Sequence, residues 1–497
     1  MSEEKNSYKQ IFKATSIFGG VQVFNILIAI VRSKFVAILL GPTGMGIVGI
    51  LMSNTAFITS LTSFGLSTSA VKNIAAAHSS GDDEKLGKVV ATFQKLVWAT
   101  GLLGFVVTLI LAPWLSKLAF GNSNYTIAFM LISVTLFFGQ LSAGQTVILR
   151  GMRKIQYMAK SSMFGALIGL FTSIPLYYFF GEKGIVPAII ITSITALLLT
   201  WYFSNKIHIP KYKPDKELIL TEGKEMLKMG FLISLSGLVS TGTTFLERIF
   251  INNYGSVGDV GLYVAGFSLI GTYVGMVFTA MSTDYYPRLV AVANDNDKCA
   301  KEVNQQAEIA LLILAPILVF FLIFVKWAIV LLYSHEFVLV TSMVQWAALG
   351  IFFKAASWAM SIIFLAKSES KAYFWNEVTA NIYLLVLNIT GYYFWGLTGL
   401  GVSFLVAYFL YFAQVFLSVN RLYSFKFSKA FIKIFLIQFT LAILCFIIVN
   451  QLSGIITYLI GSIIIAISVI LSWREMNKRI HLNATLKNLY LKRVKKL

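Results

Sequence analysis

The sequence predicts an all-α polytopic membrane protein. It reads as 12–14 transmembrane helices, fourteen preferred, in two six-helix lobes around a central cavity, followed by two extra C-terminal helices. Three observations carry this. Hydrophobic residues make up 57% of the 497-residue chain and charged residues only 12%, about half the share of a typical soluble domain, which is about 25%. The apolar residues fall in stretches near the ~20 residues that a spanning helix needs. Lysine and arginine collect in every second loop, almost all on one side.

In chain order the apolar stretches are 16–40, 44–68, 89–111, 125–149, 158–180 and 184–203, then 229–252, 261–283, 309–332, 341–366, 372–393 and 397–419, and finally 431–450 and 455–473. Charged or Gly/Pro-rich breaks separate them, as at Gly41-Pro42-Thr43-Gly44. The first, second and seventh are the least apolar, which keeps a twelve-span count open. Domain bounds follow: an N-terminal six-helix lobe at 1–203, a cytoplasmic inter-lobe loop at 204–228, a second six-helix lobe at 229–420, and two helices with a basic tail at 421–497.

With the N-terminus placed inside, 34 of the 41 Lys and Arg fall on the inner side, and Lys117, Lys183 and Lys326 on the outer. This split places both termini on the cytoplasmic side of an inner-type membrane. The net charge of +20 is then the charge of a cytoplasmic face, and nucleic acid is not an expected partner. Nothing at the N-terminus reads as a removable signal peptide. Cys299, in a predicted loop, and Cys445, in a span, form no disulfide framework, and the four His are scattered without metal-ligand spacing. No Walker loop, Gly-x-Ser-x-Gly or His-Glu-x-x-His is present. External loops are short, too short to carry the catalytic groups of a glycan polymerase or glycosyltransferase. No cofactor, metal or enzymatic activity is expected. The stretches Gly81-Asp-Asp-Glu-Lys85 and Asn294-Asp-Asn-Asp-Lys298 read as solvated turns.

A shift of 214 residues lays Lys34 on Arg248, Gly41 on Gly255 and Gly44 on Gly258. An internal repeat with an even number of spans per half gives parallel copies, as in several transporter folds.

An ionised side chain at mid-bilayer costs at least about 2.5–3.5 kcal/mol. Those inside the spans are therefore the candidate site: Arg32, Lys34, Arg248 and Lys354 as cations that attract an anion, and Glu247 and Glu377 as carboxylates that either couple ions or pair with a neighbouring charge. Phosphate or pyrophosphate suits Arg forks and Lys point charges. Positions 32 and 34 lie about 200° apart around a helix, so only one of them faces a common cavity directly. The repeat favours Lys34 and depth favours Arg32. Pro175 and Pro187 are candidate kinks.

The chain resembles the Wzx-type O-antigen and polysaccharide flippases of the multidrug/oligosaccharidyl-lipid/polysaccharide exporter superfamily. The carrying segments are Arg32-Ser-Lys34 through Gly41-Pro-Thr-Gly44-Met-Gly46, Ser63-Phe-Gly65-Leu-Ser-Thr, Asp284-Tyr-Tyr-Pro287-Arg-Leu, Leu332-Tyr-Ser-His-Glu336-Phe and Phe364-Leu-Ala-Lys367 through Glu377-Val. In order, they cover roughly residues 8–420. The resemblance implies alternating access and a substrate of undecaprenyl-pyrophosphate-linked oligosaccharide, an O-antigen or related repeat unit. That substrate would move from the cytoplasmic to the periplasmic leaflet, with Arg32 or Lys34, Arg248 and Lys354 meeting its pyrophosphate. The bilayer and other polysaccharide assembly proteins are the remaining implied partners. The two extra helices depart from many relatives. They occur in the lipid II flippase branch, where they could form a groove for the lipid tail. A lipid II-type flippase and a cation-coupled multidrug exporter of the same superfamily are the alternatives. The exporter wants carboxylates in its first lobe, yet the first six spans contain no Asp or Glu.

Overall fold

Gly41 stands at φ 64° and ψ −166°, a conformation that side-chain-bearing residues avoid. Pro42, which follows it, disfavours a helical residue ahead of itself and sits comfortably in the first turn of the next helix. The pair therefore breaks α1 (Ser2–Thr62) into two helices, at the turn expected between the first two spans. In the computed structural model, backbone is described for residues 2–210, 212 and 216–480, and side chains from residue 20 outside 211, 213–222, 232–233, 273, 283 and 480. Lys5, Lys9, Lys13, Lys211, Lys213 and Lys216, and the basic tail past 480, lie outside the described side chains.

The second half of α1 stops at Thr62 rather than at the expected residue 68, because Phe64 and Gly65 are both left-handed, at φ 49° and 59°. The short α2 (Leu66–Ser79) follows. Asp82 caps α3 (Asp83–Phe120) by accepting from the Lys85 main-chain N–H at 2.9 Å. Next come α4 (Thr126–Gly151), α5 (Ile155–Phe180), a 3-10 turn at Gly181–Gly184, and α6 (Ile185–Ser204). Pro187 lies in the first turn of α6, where no intrahelical hydrogen bond is lost, so it makes no kink. The remaining helices are α7 (Lys216–Tyr254), α8 (Val257–Ser268) continued through a π-helical turn into α9 (Gly275–Ala291), α10 (Asn296–Leu332), α11 (Thr341–Ala366), α12 (Ser370–Tyr423), α13 (Lys429–Gln451) and α14 (Ile455–Ile480). Asp295 starts α10 early by accepting from the main-chain N–H groups of Asp297 and Lys298. Cys299, read from sequence as a loop residue, is therefore buried in that first turn, donating to the Val292 carbonyl at 3.2 Å.

Among the described residues, ten helical stretches are long and apolar enough to cross a membrane. The bent pair Gly223–Phe231 and Ser234–Tyr254, at 52°, adds an eleventh if it forms one span. This is a multi-pass membrane protein. Three of the ten stretches are interrupted, at Gly41, at Gly181–Gly184 and at Gly396, so that each holds two separate helices, whereas α8 and α9 run on through the π-helical turn as one stretch.

The helices form two compact units, residues 1–261 with 332–334, and residues 262–331 with 335–497. In the first, α3 packs on α4, α4 on α6, α5 on α6 and α1, and α7 on α1, α2 and α3. A buried cluster of Leu66, Ile74, Leu86, Phe93, Ile148 and Met226 ties α2, α3, α4 and α7 together. The loop before α2 meets α7 backbone to backbone. A Cβ on Gly230 would stand 2.4 Å from the Phe64 carbonyl oxygen, whereas one on Gly237, two turns further along α7, meets nothing. Gly230→Ala is expected to destabilise the protein by about 1–3 kcal/mol through overpacking. Gly237→Ala should instead be neutral or stabilising by up to about 1 kcal/mol through helix propensity. Thermal unfolding of the two purified variants in detergent checks the pair.

In the second unit, α11 is the central helix. It is buried along most of its length, and small residues such as Ala347, Ala348, Ala355, Ala356 and Ala359 are fully buried. Gly396, at φ 56°, folds α12 back on itself, so Asn376 in one half accepts from Gln414 in the other at 2.8 Å. The segments that carry the family resemblance acquire structural work here. Tyr285, fully buried, donates to the Ala359 carbonyl at 2.7 Å. Arg288 binds Asp284 at 2.8 Å and Glu302 at 2.5 Å, and Lys367 donates to the Ala293 carbonyl and to Asn296 Oδ1.

Candidate functional site

Arg32 projects from the first half of α1 into a cavity of about 460 Å3 inside the first unit. Gln22 and Asn25 of α1, Thr146 and Arg150 of α4, Ser161 and Ser162 of α5, and Thr192 and Thr200 of α6 supply its polar wall. Among the described residues no carboxylate lines it. Asn25 Nδ2 donates to Ser162 Oγ at 2.7 Å, while Asn25 Oδ1 is buried with no hydrogen-bond donor among the described residues. Among the described residues Arg32 itself has neither a hydrogen-bond nor an ion-pair partner. A half-buried guanidinium in such a place is a standing attraction for an anion, and hydroxyl and amide groups around it match sugar hydroxyls. The volume falls in the range of about 300–1,000 Å3 usual for ligand cavities.

Lys34, two residues on, takes a different direction. Its ammonium donates to the Tyr333 carbonyl at 2.5 Å, one residue past the C-terminus of α10, where main-chain carbonyls lack helical partners. The Arg32-Ser-Lys34 and Leu332-Tyr-Ser segments of the resemblance thus meet. Arg248 also donates to main chain, through Nη1 to Gly49 O of α1 at 2.5 Å. Beside it Glu247 is 4% exposed, and Phe245 stacks on Phe57 at 4.8 Å, so α7 is bound to the second half of α1.

In the second unit, Lys354 of α11 lies over the rings of Tyr408 at 5.0 Å and Phe404 at 5.8 Å. It has no ion pair among the described residues. Such contacts hold an ammonium by about 0.5–2 kcal/mol without neutralising it. Glu377 accepts from the Tyr411 hydroxyl at 2.5 Å, across the bend of α12. Among the described residues it too has no ion pair. Tyr411→Phe strips a half-buried carboxylate of its donor and is expected to destabilise the protein by about 1–3 kcal/mol, measurable by thermal unfolding.

Arg32, Lys34, Glu247 and Arg248 thus belong to the first unit and Lys354 and Glu377 to the second. Arg32 lines a cavity, Lys34 and Arg248 bind carbonyls, Lys354 sits on aromatic rings and Glu377 holds a tyrosine. Sequence reasoning passed over Arg150 and the hydroxyl wall. The signal was there, since Thr192, Ala196 and Thr200 repeat at four-residue spacing, which puts small and polar groups on one helical stripe.

Residues 35–342 match the model of a family described as polysaccharide biosynthesis proteins. The chain belongs to that family. Among curated proteins it is 21% identical over 389 residues to the lipid III flippase of Escherichia coli, covering 76% of this chain and 91% of that one. Among solved structures the fold is similar to that of a lipid II flippase, MurJ, in an inward closed conformation, at a TM-score of 0.70 and 16% identity over 94% of this chain and 99% of the other. It is also similar to an inward-facing multidrug resistance MATE family transporter of the MOP superfamily, at a TM-score of 0.65 and 15% identity over 80% and 95%. Coverage of 94% leaves too few residues over for both α13 and α14 to fall outside the fold shared with the lipid II flippase.

Proposed function

We propose that this family member is a flippase that carries an undecaprenyl-pyrophosphate-linked oligosaccharide from the cytoplasmic to the periplasmic leaflet of a bacterial inner membrane by alternating access. The carrying observation is Arg32, a cation with no ion-pair partner among the described residues, in a cavity walled by hydroxyls and amides. The chain spans nearly the full length of the lipid III flippase that it resembles, which supports the same class of cargo. Arg32 and Arg150 would take the pyrophosphate, the Asn and Ser/Thr side chains the first sugar, and Lys354 a second contact on the other unit. Lys34 and Arg248 have carbonyl partners in this conformation and would reach the substrate only by exchanging them. Glu377, bound to a hydroxyl, remains available to carry a coupling ion. The lipid tail stays in the bilayer.

The protein is proposed as a transporter, not an enzyme. Fourteen spans follow if each side of the breaks at Gly41, Gly181–Gly184 and Gly396 crosses separately, with the bent α7 as one span. Cytoplasmic termini follow from the lysine and arginine distribution. A cation-coupled multidrug exporter finds no support in a cavity whose described lining holds no carboxylate.

Deleting the gene tests the reading. Lipid-linked oligosaccharide is expected to accumulate in the inner leaflet, with loss of the surface glycan. Normal surface glycan without accumulation would refute it.

A further inference from the structure

At the ends of α13 and α14 nearest Lys429 and Ile480, a second cavity of about 390 Å3 opens against α10. Four cations line it: Lys433 on α13, and Arg474, Lys478 and Arg479 on α14. Two carboxylates offset part of that charge. Glu475 accepts from Lys478 at 2.7 Å and from Arg479 at 2.6 Å. Glu308, its side chain 10% exposed, accepts from Arg479 at 2.8 Å and from the Ser428 hydroxyl at 2.8 Å. Lys433 and Arg474, both exposed, have no partner among the described residues. The site therefore carries a net excess of two positive charges.

Its floor is apolar, made by Leu312, Ile434, Ile437 and Leu471. From there Leu436, Ile467 and Ile470 continue as exposed apolar surface along the two helices. Gln438, at the back of the cavity, joins α13 to α14 by donating to Ser472 Oγ at 2.9 Å and accepting from Ser468 Oγ at 2.7 Å, so the walls are fixed to each other. Trp473, 44% exposed and next to Arg474, is the kind of residue that settles at headgroup depth. Lysine and arginine distribution assigns this end to the cytoplasmic side.

We propose that this cavity is a binding site for an anionic phospholipid of the cytoplasmic leaflet. Its phosphate lies between Lys433 and Arg474, and an acyl chain runs over the Ile437–Leu471 floor. Basic pockets between transmembrane helices on the cytoplasmic side take such headgroups, and an Arg fork beside a Lys point charge suits a phosphate. Free phosphate would use the cations but leave the apolar floor unfilled, so the lipid is the better-matched source of the same chemistry.

The test uses the full chain purified in neutral detergent and titrated with phosphatidylglycerol or phosphatidylcholine, with retained lipid read by native mass spectrometry. Phosphatidylglycerol is expected to bind and phosphatidylcholine not. Removing each cation should weaken binding about fivefold, so Lys433→Gln with Arg474→Gln together lower it by about twenty-five-fold. Lys326→Gln, on the opposite side, should leave it unchanged. Lys433→Gln alone serves if the double variant does not fold. Inorganic phosphate at the same concentration should fail to displace the lipid. Equal retention of phosphatidylglycerol by parent and variants, equal binding of phosphatidylcholine, or full displacement by inorganic phosphate would each overturn the proposal.

Discussion

Arg32→Ala is expected to cut export of the lipid-linked glycan by about ten- to hundredfold, the loss of one charge-assisted contact to phosphate at about 1.5–3 kcal/mol. Protein level should not change, because Arg32 has no partner among the described residues whose loss would leave a buried group unsatisfied. Arg32→Lys keeps the charge but not the two-pronged fork, and should recover only part of the rate. Surface glycan, measured in a deletion strain complemented at matched expression, gives the readout. The contrast with Lys34→Ala is informative. That change removes a donor from the Tyr333 carbonyl, so its main effect should fall on thermal stability.

The second large effect belongs to Glu308. Its carboxylate joins three elements: α10, on which it sits, Arg479 of α14, and Ser428, the N-cap of α13. Breaking a buried pair by removing one partner costs about 3–5 kcal/mol. Glu308→Ala should fall near the lower figure, about 3 kcal/mol, since Arg479 is part-exposed and retains Glu475. Loosening of the α13–α14 hairpin is expected, seen as a lower melting temperature and faster proteolysis near residues 424–428. Comparing Glu308→Gln and Arg479→Gln singly and together isolates the pair, and a coupling energy near zero would show that the clamp does not hold the hairpin.

The breaks in the helices were legible because their causes are local. Gly41-Pro42 announces a turn by its own chemistry, and Gly396 falls in the short gap between the expected spans at 372–393 and 397–419. Helix ends were less legible. Thr62 ends a helix because Phe64 adopts a left-handed backbone as its loop packs on Gly230, a contact over 160 residues away in the chain that no local window contains. Asp295 and Cys299 show the same limit, since the polar cap extends α10 well before its apolar part begins.

The charged residues inside spans were legible by their cost, but their partners were not. The 3.6-residue repeat gave the divergence of Arg32 and Lys34, and could not say which faced the cavity. That depends on where the α5 and α6 hydroxyls and the Tyr333 carbonyl lie. Lys354 was visible in the sequence as a charge, whereas the Phe404 and Tyr408 rings under it come from the folding of α12 at Gly396.

On the proposed mechanism, cations held within the spans select a substrate by its pyrophosphate. Purified protein reconstituted in vesicles, given an undecaprenyl-pyrophosphate glycan or the same glycan on undecaprenol, tests it by leaflet-selective quenching of a label on the sugar. Only the pyrophosphate-bearing lipid is expected to cross, and Arg32→Ala with Lys354→Ala is expected to abolish crossing. Equal movement of both lipids, or undiminished movement by that double variant, would contradict it.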